Sequence, residues 1–408
     1  MSLLVLRKGD RVKIIDQGTR DEYSYFVNSM LFIFALFINI NNTVADIALF
    51  NLSLAGLYIL KKKNINPFKS HKLRMVLIIT AGYYFINLVI FFINGTNFAK
   101  YLQTDVYFLL AIFIAAAILE AKVNINLFFL GIKLALLFLG LSHFLSFDGT
   151  NIYISQFSPI IVLMIFLSII NYDNDTFINK ILGLIAFLSG LILTLDFAVR
   201  LSWLVFIVLS IIVPFLMFKK RQINKFSILL SLLLLTLFIS FISSNIVIER
   251  RINGAFNEIS NWSVDQNLNT SIGLRLEMYS SGIKAFKEKP FFGHGYLNGT
   301  KEASKYADPR VRGIIYNFVQ MHSEYVTTMV EKGFFGLLSL GILLLSPFLF
   351  FIRRYDKDNI FIRVGVVTSI SFILFGLFNA SFGSTTFKAL YVLLICLVLP
   401  SLLKEKLK

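Results

Sequence analysis

Crossing the hydrocarbon core of a bilayer takes about 20 consecutive apolar residues in a helix. This chain has twelve stretches of about that kind, at 25–42, 44–60, 75–93, 104–119, 125–142, 152–170, 179–197, 201–218, 226–246, 333–352, 360–378 and 386–403. Backbone polar groups must be satisfied internally in lipid, so runs of this length dictate helices. The fold class expected is an all-α polytopic membrane protein. Its parts are a bundle of nine helices over 1–246, a polar loop over 247–332, and three further helices over 333–408. The 44 Phe and a mean hydropathy of +0.75 exceed what a soluble core requires.

A net charge of +16 in a soluble chain would point to nucleic acid. Here the basic residues cluster at the ends of apolar runs, where they report topology and attraction to anionic lipid, so no nucleic-acid partner is expected. With both termini cytoplasmic, the cytoplasmic segments hold 24 of the 39 Lys and Arg, while the short outer segments hold only Lys100, Arg200, Lys332 and Lys388. This asymmetry predicts a multi-pass membrane protein with the 247–332 loop outside the cytoplasm, in the periplasm or its equivalent. The single cysteine, Cys396, lies in an apolar run, which leaves no disulfide and no cysteine cluster for a metal. The first 22 residues carry five basic residues and no small-residue cleavage site, so no removable signal peptide is expected.

The chemistry-bearing residues concentrate in or beside the loop. Thr270 or Ser271 can cap a helix that runs to about Lys289, where Pro290 stops it. Leu276, Tyr279, Ile283 and Phe286 form its apolar stripe, with Arg275, Glu277, Lys284 and Lys287 off that stripe. A second helix is expected from about Asn317 through His322 to Glu331, with Gly333 and Gly336 at its junction with the tenth span. Two readings stand for His322: a structural histidine, or a proton acceptor with an imidazole suited to neutral pH and Glu324 nearby. Two also stand for the arginines. Arg200, at the start of the eighth span beside Asp196, can snorkel to the interface, and Arg275 can pair with Glu277 or Glu288. Alternatively the two guanidinium groups grip a diphosphate together. Lys133, in mid-span, can pair with Glu120 or Asp105, or line a polar cavity. His294, between two glycines, reads as a turn residue. No set of His, Cys and carboxylates has metal-ligand spacing, so neither a metal nor another cofactor is expected.

Arg200 opening a span, Thr270-Ser271-Ile272-Gly273-Leu274-Arg275, Lys289-Pro290-Phe291-Phe292-Gly293-His294-Gly295, His322-Ser323-Glu324, and Glu331-Lys332-Gly333-Phe334-Phe335-Gly336 follow one another around a single large loop. In this order they resemble the O-antigen ligase and polymerase superfamily over about 185–350. The resemblance implies a metal-independent glycosyltransferase whose donor is a glycan on undecaprenyl diphosphate. The acceptor is a sugar hydroxyl of lipid A-core for a ligase, or a second lipid-linked repeat unit for a polymerase. It further implies an enzyme of the bacterial inner membrane in which His322 is the general base and Arg200 and Arg275 bind the diphosphate; Glu324, Lys284 and Lys287 are candidate supporting residues by proximity and charge. The chain departs from the family pattern at Val199 and Ser323, where members often carry Ser and Asn. A lipid-linked oligosaccharide flippase would share the span count, but it is expected to carry charges within its spans and two related halves. Here the polar residues gather in one outer loop.

Overall fold

The computed structural model describes residues 8–95, 98–145, 150–197, 199–217, 223–244, 253–254, 257–258, 267–356 and 358–405. All described regular structure is helical. The bundle contains α1 (Lys8–Phe37), α2 (Asn42–Lys62), α3 (His71–Val76) and α4 (Gly82–Asn94), the last two joined by a π turn over Leu77–Ala81. It continues with α5 (Phe98–Glu120), α6 (Ile125–Phe144), α7 (Thr150–Ile169), α8 (Phe177–Asp196), α9 (Arg200–Met217) and α10 (Ile223–Ser244). After the loop come α14 (Glu324–Arg353), α15 (Ile360–Phe378) and α16 (Thr385–Glu405). Each of the twelve apolar stretches read from the sequence falls on one of these helical segments. Eight helical segments are long and apolar enough to cross a membrane, among the described residues. Outward faces are apolar too: Ile181, Leu184, Ile185, Leu188 and Ile192 form an exposed stripe along α8, which suits lipid rather than water. The chain is a polytopic membrane protein.

At the centre lies α16, packed against α2, α3, α5 and α15. Its residues from Ala389 to Leu399 are buried all round, including Cys396, whose thiol donates to the Ala111 carbonyl at 3.1 Å. A helix apolar on every face has no stripe to read, so its central place is invisible to periodicity.

Charges inside the bundle are paired. Lys133 Nζ donates to Asp175 Oδ2 at 2.7 Å and to the Asn179 carbonyl at 3.0 Å, with both ionic side chains almost fully buried. This corrects the partners expected for Lys133, because Glu120 pairs with Lys63 and Asp105 receives Lys388 at 2.6 Å. Arg363 clasps Asp173 with both terminal nitrogens, at 2.8 and 2.9 Å. The turn between α7 and α8 thus ties down α6 and α15, and removing one partner of such a pair would leave an uncompensated buried charge.

The segment from 267 to 332 folds as a cap with its own small core, including Met278, Ala285, Ala303, Val311, Met321 and Val330. Its helices are α11 (Ser271–Glu288), α12 (Gly299–Ser304) and α13 (Arg312–Asn317). Most of the loop before it, 245–252, 255–256 and 259–266, lies outside the described residues. Two glycines join cap to bundle. Gly293 and Gly333 both have φ of 66°, and a Cβ on either would sit about 2.5 Å from the backbone of the facing strand of chain. Around them His294 N donates to the Val330 carbonyl at 2.9 Å, Gly295 N to Glu331 at 2.9 Å, and Phe334 N to Pro290 at 2.7 Å. The Pro-Phe-Phe-Gly-His-Gly and Glu-Lys-Gly-Phe-Phe-Gly stretches are therefore two halves of one joint. Any L side chain there meets both a left-handed backbone and a backbone clash.

Candidate functional site

Helix α11 begins where expected and for the expected reason. Thr270 adopts extended backbone and its hydroxyl accepts from Gly273 N at 3.0 Å, while Pro290 follows the last turn. Its buried face differs from the expected stripe. Gly273, Met278, Ser281, Gly282 and Ala285 turn into the cap, and Ile283 is exposed. Gly282 permits this, since a Cβ there would lie 2.8 Å from Met321 Cε. A second face, Ile272, Arg275, Leu276 and Tyr279, looks into a cavity of about 710 Å³.

Besides α11, four parts of the chain build that cavity. Pro159 comes from α7; Val199, Arg200, Leu201 and Leu204 come from the start of α9; His322 precedes α14; Phe378 and Asn379 close the far end of α15. Arg200, Arg275 and His322, distant in sequence, therefore line one space whose remaining wall is mostly apolar.

Arg200 is the first residue of α9. A cation at a helix N-terminus faces the positive end of the macrodipole, an arrangement that an anion alongside relieves. In this structure that anion is Glu258, with Oε1 3.3 Å from Arg200 Nη2 and Oε2 accepting from Ile272 N at 3.0 Å. The carboxylate bridges a guanidinium and the first turn of α11, so it marks a position where both donors receive negative charge. Asp196 turns instead to His143, at 3.1 Å. Arg275 makes no ion pair among the described residues. Its expected alternative partner Glu277 accepts from Asp308 N at 2.9 Å.

His322 is not inside a helix, contrary to the sequence reading. The helix starts at Glu324, capped by Ser323, and His322 sits before the cap with φ of 50°. The Ser323 hydroxyl does double duty, accepting from Val326 N and donating to the Gly376 carbonyl at 3.2 Å. A side chain that caps well is what this position requires. The imidazole is half-buried, edge-on to Phe318 with ring centroids 5.2 Å apart, and its nitrogens have no hydrogen-bond partner among the described residues. Burial and the nearby Arg275 charge both push its pKa below the ordinary 6.5, so the neutral, proton-accepting form is favoured.

The other expected residues lie elsewhere. Glu324 is buried and directed away from the cavity, accepting from Phe382 N at 2.8 Å and Thr328 Oγ1 at 3.4 Å, which anchors the cap to the turn before α16. Lys284 and Lys287 are exposed on the outer side of α11 and do not line the cavity. His294 is a buried pin, with Nε2 2.8 Å from the Ala285 carbonyl. Sequence reasoning missed Glu258 and the place of Tyr279 in the cavity wall. Nothing around Glu258 signals it; Tyr279, four residues after Arg275 on the same helix face, was within reach of the spacing. Among the described residues no group of three His, Cys, Asp or Glu is placed to hold a metal ion.

Comparison with known proteins bears on this arrangement. Residues 182–341 match the family model described as O-antigen ligase, a span that contains Arg200, Arg275 and His322. The chain is 25% identical over 233 residues to an uncharacterized protein of Haemophilus influenzae, covering 55% of this chain and 56% of that one. It is 26% identical over 153 residues to an O-antigen ligase of Escherichia coli, covering 37% of this chain and 36% of the relative. The chain thus matches about half the length of the first relative and about a third of the second.

Proposed function

We propose that this protein is an O-antigen ligase: a membrane glycosyltransferase that moves a glycan from undecaprenyl diphosphate to a sugar hydroxyl of lipid A-core. The observation that supports it most is the convergence of Arg200, Arg275 and His322 on one cavity at the boundary between bundle and cap. In the reaction, the acceptor hydroxyl oxygen forms a bond to the anomeric carbon as the bond from that carbon to the diphosphate oxygen breaks. The hydroxyl proton passes to a His322 nitrogen, and the electron pair leaves with undecaprenyl diphosphate. A sugar hydroxyl is a poor nucleophile until a positioned base takes its proton. Charge developing on the departing diphosphate is met by the two guanidinium groups and by the first turn of α11. The leaving group displaces the Glu258 carboxylate from the donors it now bridges. The apolar wall formed by Leu201, Leu204 and Phe378 suits the first isoprene units of the carrier.

A polymerase, with a second lipid-linked repeat unit as acceptor, is the alternative. Exposed Lys284, Lys287, Lys289 and Arg312 on the cap favour a phosphate-bearing inner core, and hence the ligase. Purified protein supplied with lipid-linked glycan is expected to glycosylate lipid A-core and not to lengthen the donor. Donor lengthening with no product on lipid A-core would make the polymerase the correct reading.

The charge asymmetry of the chain supports an orientation with the cap on the periplasmic face of the inner membrane and both termini cytoplasmic. Asp308→Cys is expected to react with an impermeant thiol reagent added to spheroplasts, and Lys62→Cys to react only after lysis. Labelling of Lys62→Cys from outside would reverse the orientation.

A further inference from the structure

The base assigned above lacks what usually orients a catalytic histidine, a carboxylate or carbonyl on its second ring nitrogen. Among the described residues neither imidazole nitrogen of His322 has a hydrogen-bond partner, so the ring must be aimed by the backbone that carries it and by its neighbours. That backbone is unusual. His322 has φ of 50°, one of three non-glycine residues described with positive φ, and such a conformation persists only where neighbours over-determine it.

The determinants can be named. On the far side, Ser323 caps α14 and bonds the Gly376 carbonyl at 3.2 Å, while Glu324 N donates to the Asn379 carbonyl at 3.1 Å. Before it, Met321 is buried against Gly282 of α11, and its N–H donates to Thr327 Oγ1 at 3.3 Å. Among the described residues one side-chain bond reaches the His322 peptide itself: the Tyr279 hydroxyl donates to the His322 carbonyl at 3.2 Å. Tyr279 also faces the cavity, one helical turn beyond Arg275.

We propose that Tyr279 is a positioning residue, which fixes the direction of the His322 peptide and so aims the imidazole at the cavity. Because Arg275 and Tyr279 stand on the same face of α11, that helix holds the leaving-group arginine and the base in register as one rigid unit. A small displacement of α11 would move both, and misplacement of a reacting group by about 1 Å is costly in rate. The inference rests on His322 being the base, and the test separates the two.

Full-length protein in lipid nanodiscs would be assayed with an undecaprenyl-diphosphate-linked glycan donor and lipid A-core acceptor. Tyr279→Phe keeps the ring and removes only the hydroxyl. It should lower kcat about tenfold, or about 1.4 kcal/mol in the barrier, and leave the donor KM within about twofold. Its melting temperature should match that of the parent. In a His322→Ala background, followed over long incubations, Tyr279→Phe should have no additional effect, because its contribution acts through the missing imidazole. An unchanged kcat in Tyr279→Phe would overturn the proposal, and so would the same tenfold loss in the His322→Ala background. Wild-type transfer by His322→Ala would instead remove the base assignment, a separate failure visible in the single variant.

Discussion

His322→Ala should lower glycan transfer by about a hundredfold to ten-thousandfold, the range associated with loss of a general base, while expression and membrane insertion stay at parental levels. The expectation of an intact fold has a structural basis. The imidazole is half-buried, touches Phe318 edge-on, and has no hydrogen-bond partner among the described residues, so its removal strands no polar group. Alanine at a left-handed position is somewhat strained, but the bonds that hold this turn come from the Tyr279 and Ser323 hydroxyls to main-chain carbonyls, and they remain. The measurement is the rate of transfer by purified protein against the melting temperature of the same sample. Transfer near the parental rate would return His322 to a structural role.

The chain's architecture was legible in the sequence because each span is a long apolar run, and a membrane leaves such runs little choice. The cap was legible at its punctuation: Thr270 as the N-cap, Pro290 as the stop, Gly333 as the break between cap and span. What the sequence could not supply was pairing across distance. Lys133 had acidic candidates in several neighbouring segments, and only the packing of α6 against α8 selects Asp175. The stripe on α11 was misread because this helix has two partners, a small cap core and a cavity, and the face toward the core uses Gly, Ser and Ala for close approach rather than large apolar residues. His322 was placed in a helix since Met321-His322-Ser323-Glu324 contains no Gly or Pro to break one. The interruption comes from Ser323 capping α14 and from Tyr279 holding the preceding carbonyl, and both depend on tertiary neighbours. The same absence of a local signal explains Glu258, which meets Arg200 and α11 from a polar loop without any motif.

Replacing Arg275 by Gln should lower kcat/KM by roughly a hundredfold and, in addition, move the acidic limb of the pH profile. The first effect follows from loss of a charged donor at the departing diphosphate. The second follows from the position of Arg275 beside the base. Two causes hold the His322 pKa below 6.5, burial first and the Arg275 charge second, and both disfavour the imidazolium. A base works in its neutral form, so the midpoint of the parental acidic limb should lie below pH 6.5, where the lowered pKa puts it. With the charge gone, burial alone remains. The pKa rises toward 6.5 without reaching it, and the acidic limb shifts to higher pH. Arg275→Lys keeps the charge but loses the planar fork, so it should retain the parental limb while recovering only part of the rate. Initial rates from pH 5 to 8 for the three proteins distinguish these effects. A limb at the same pH in Arg275→Gln and parent would show that Arg275 does not act on the titrating group, and would leave it with the leaving group alone.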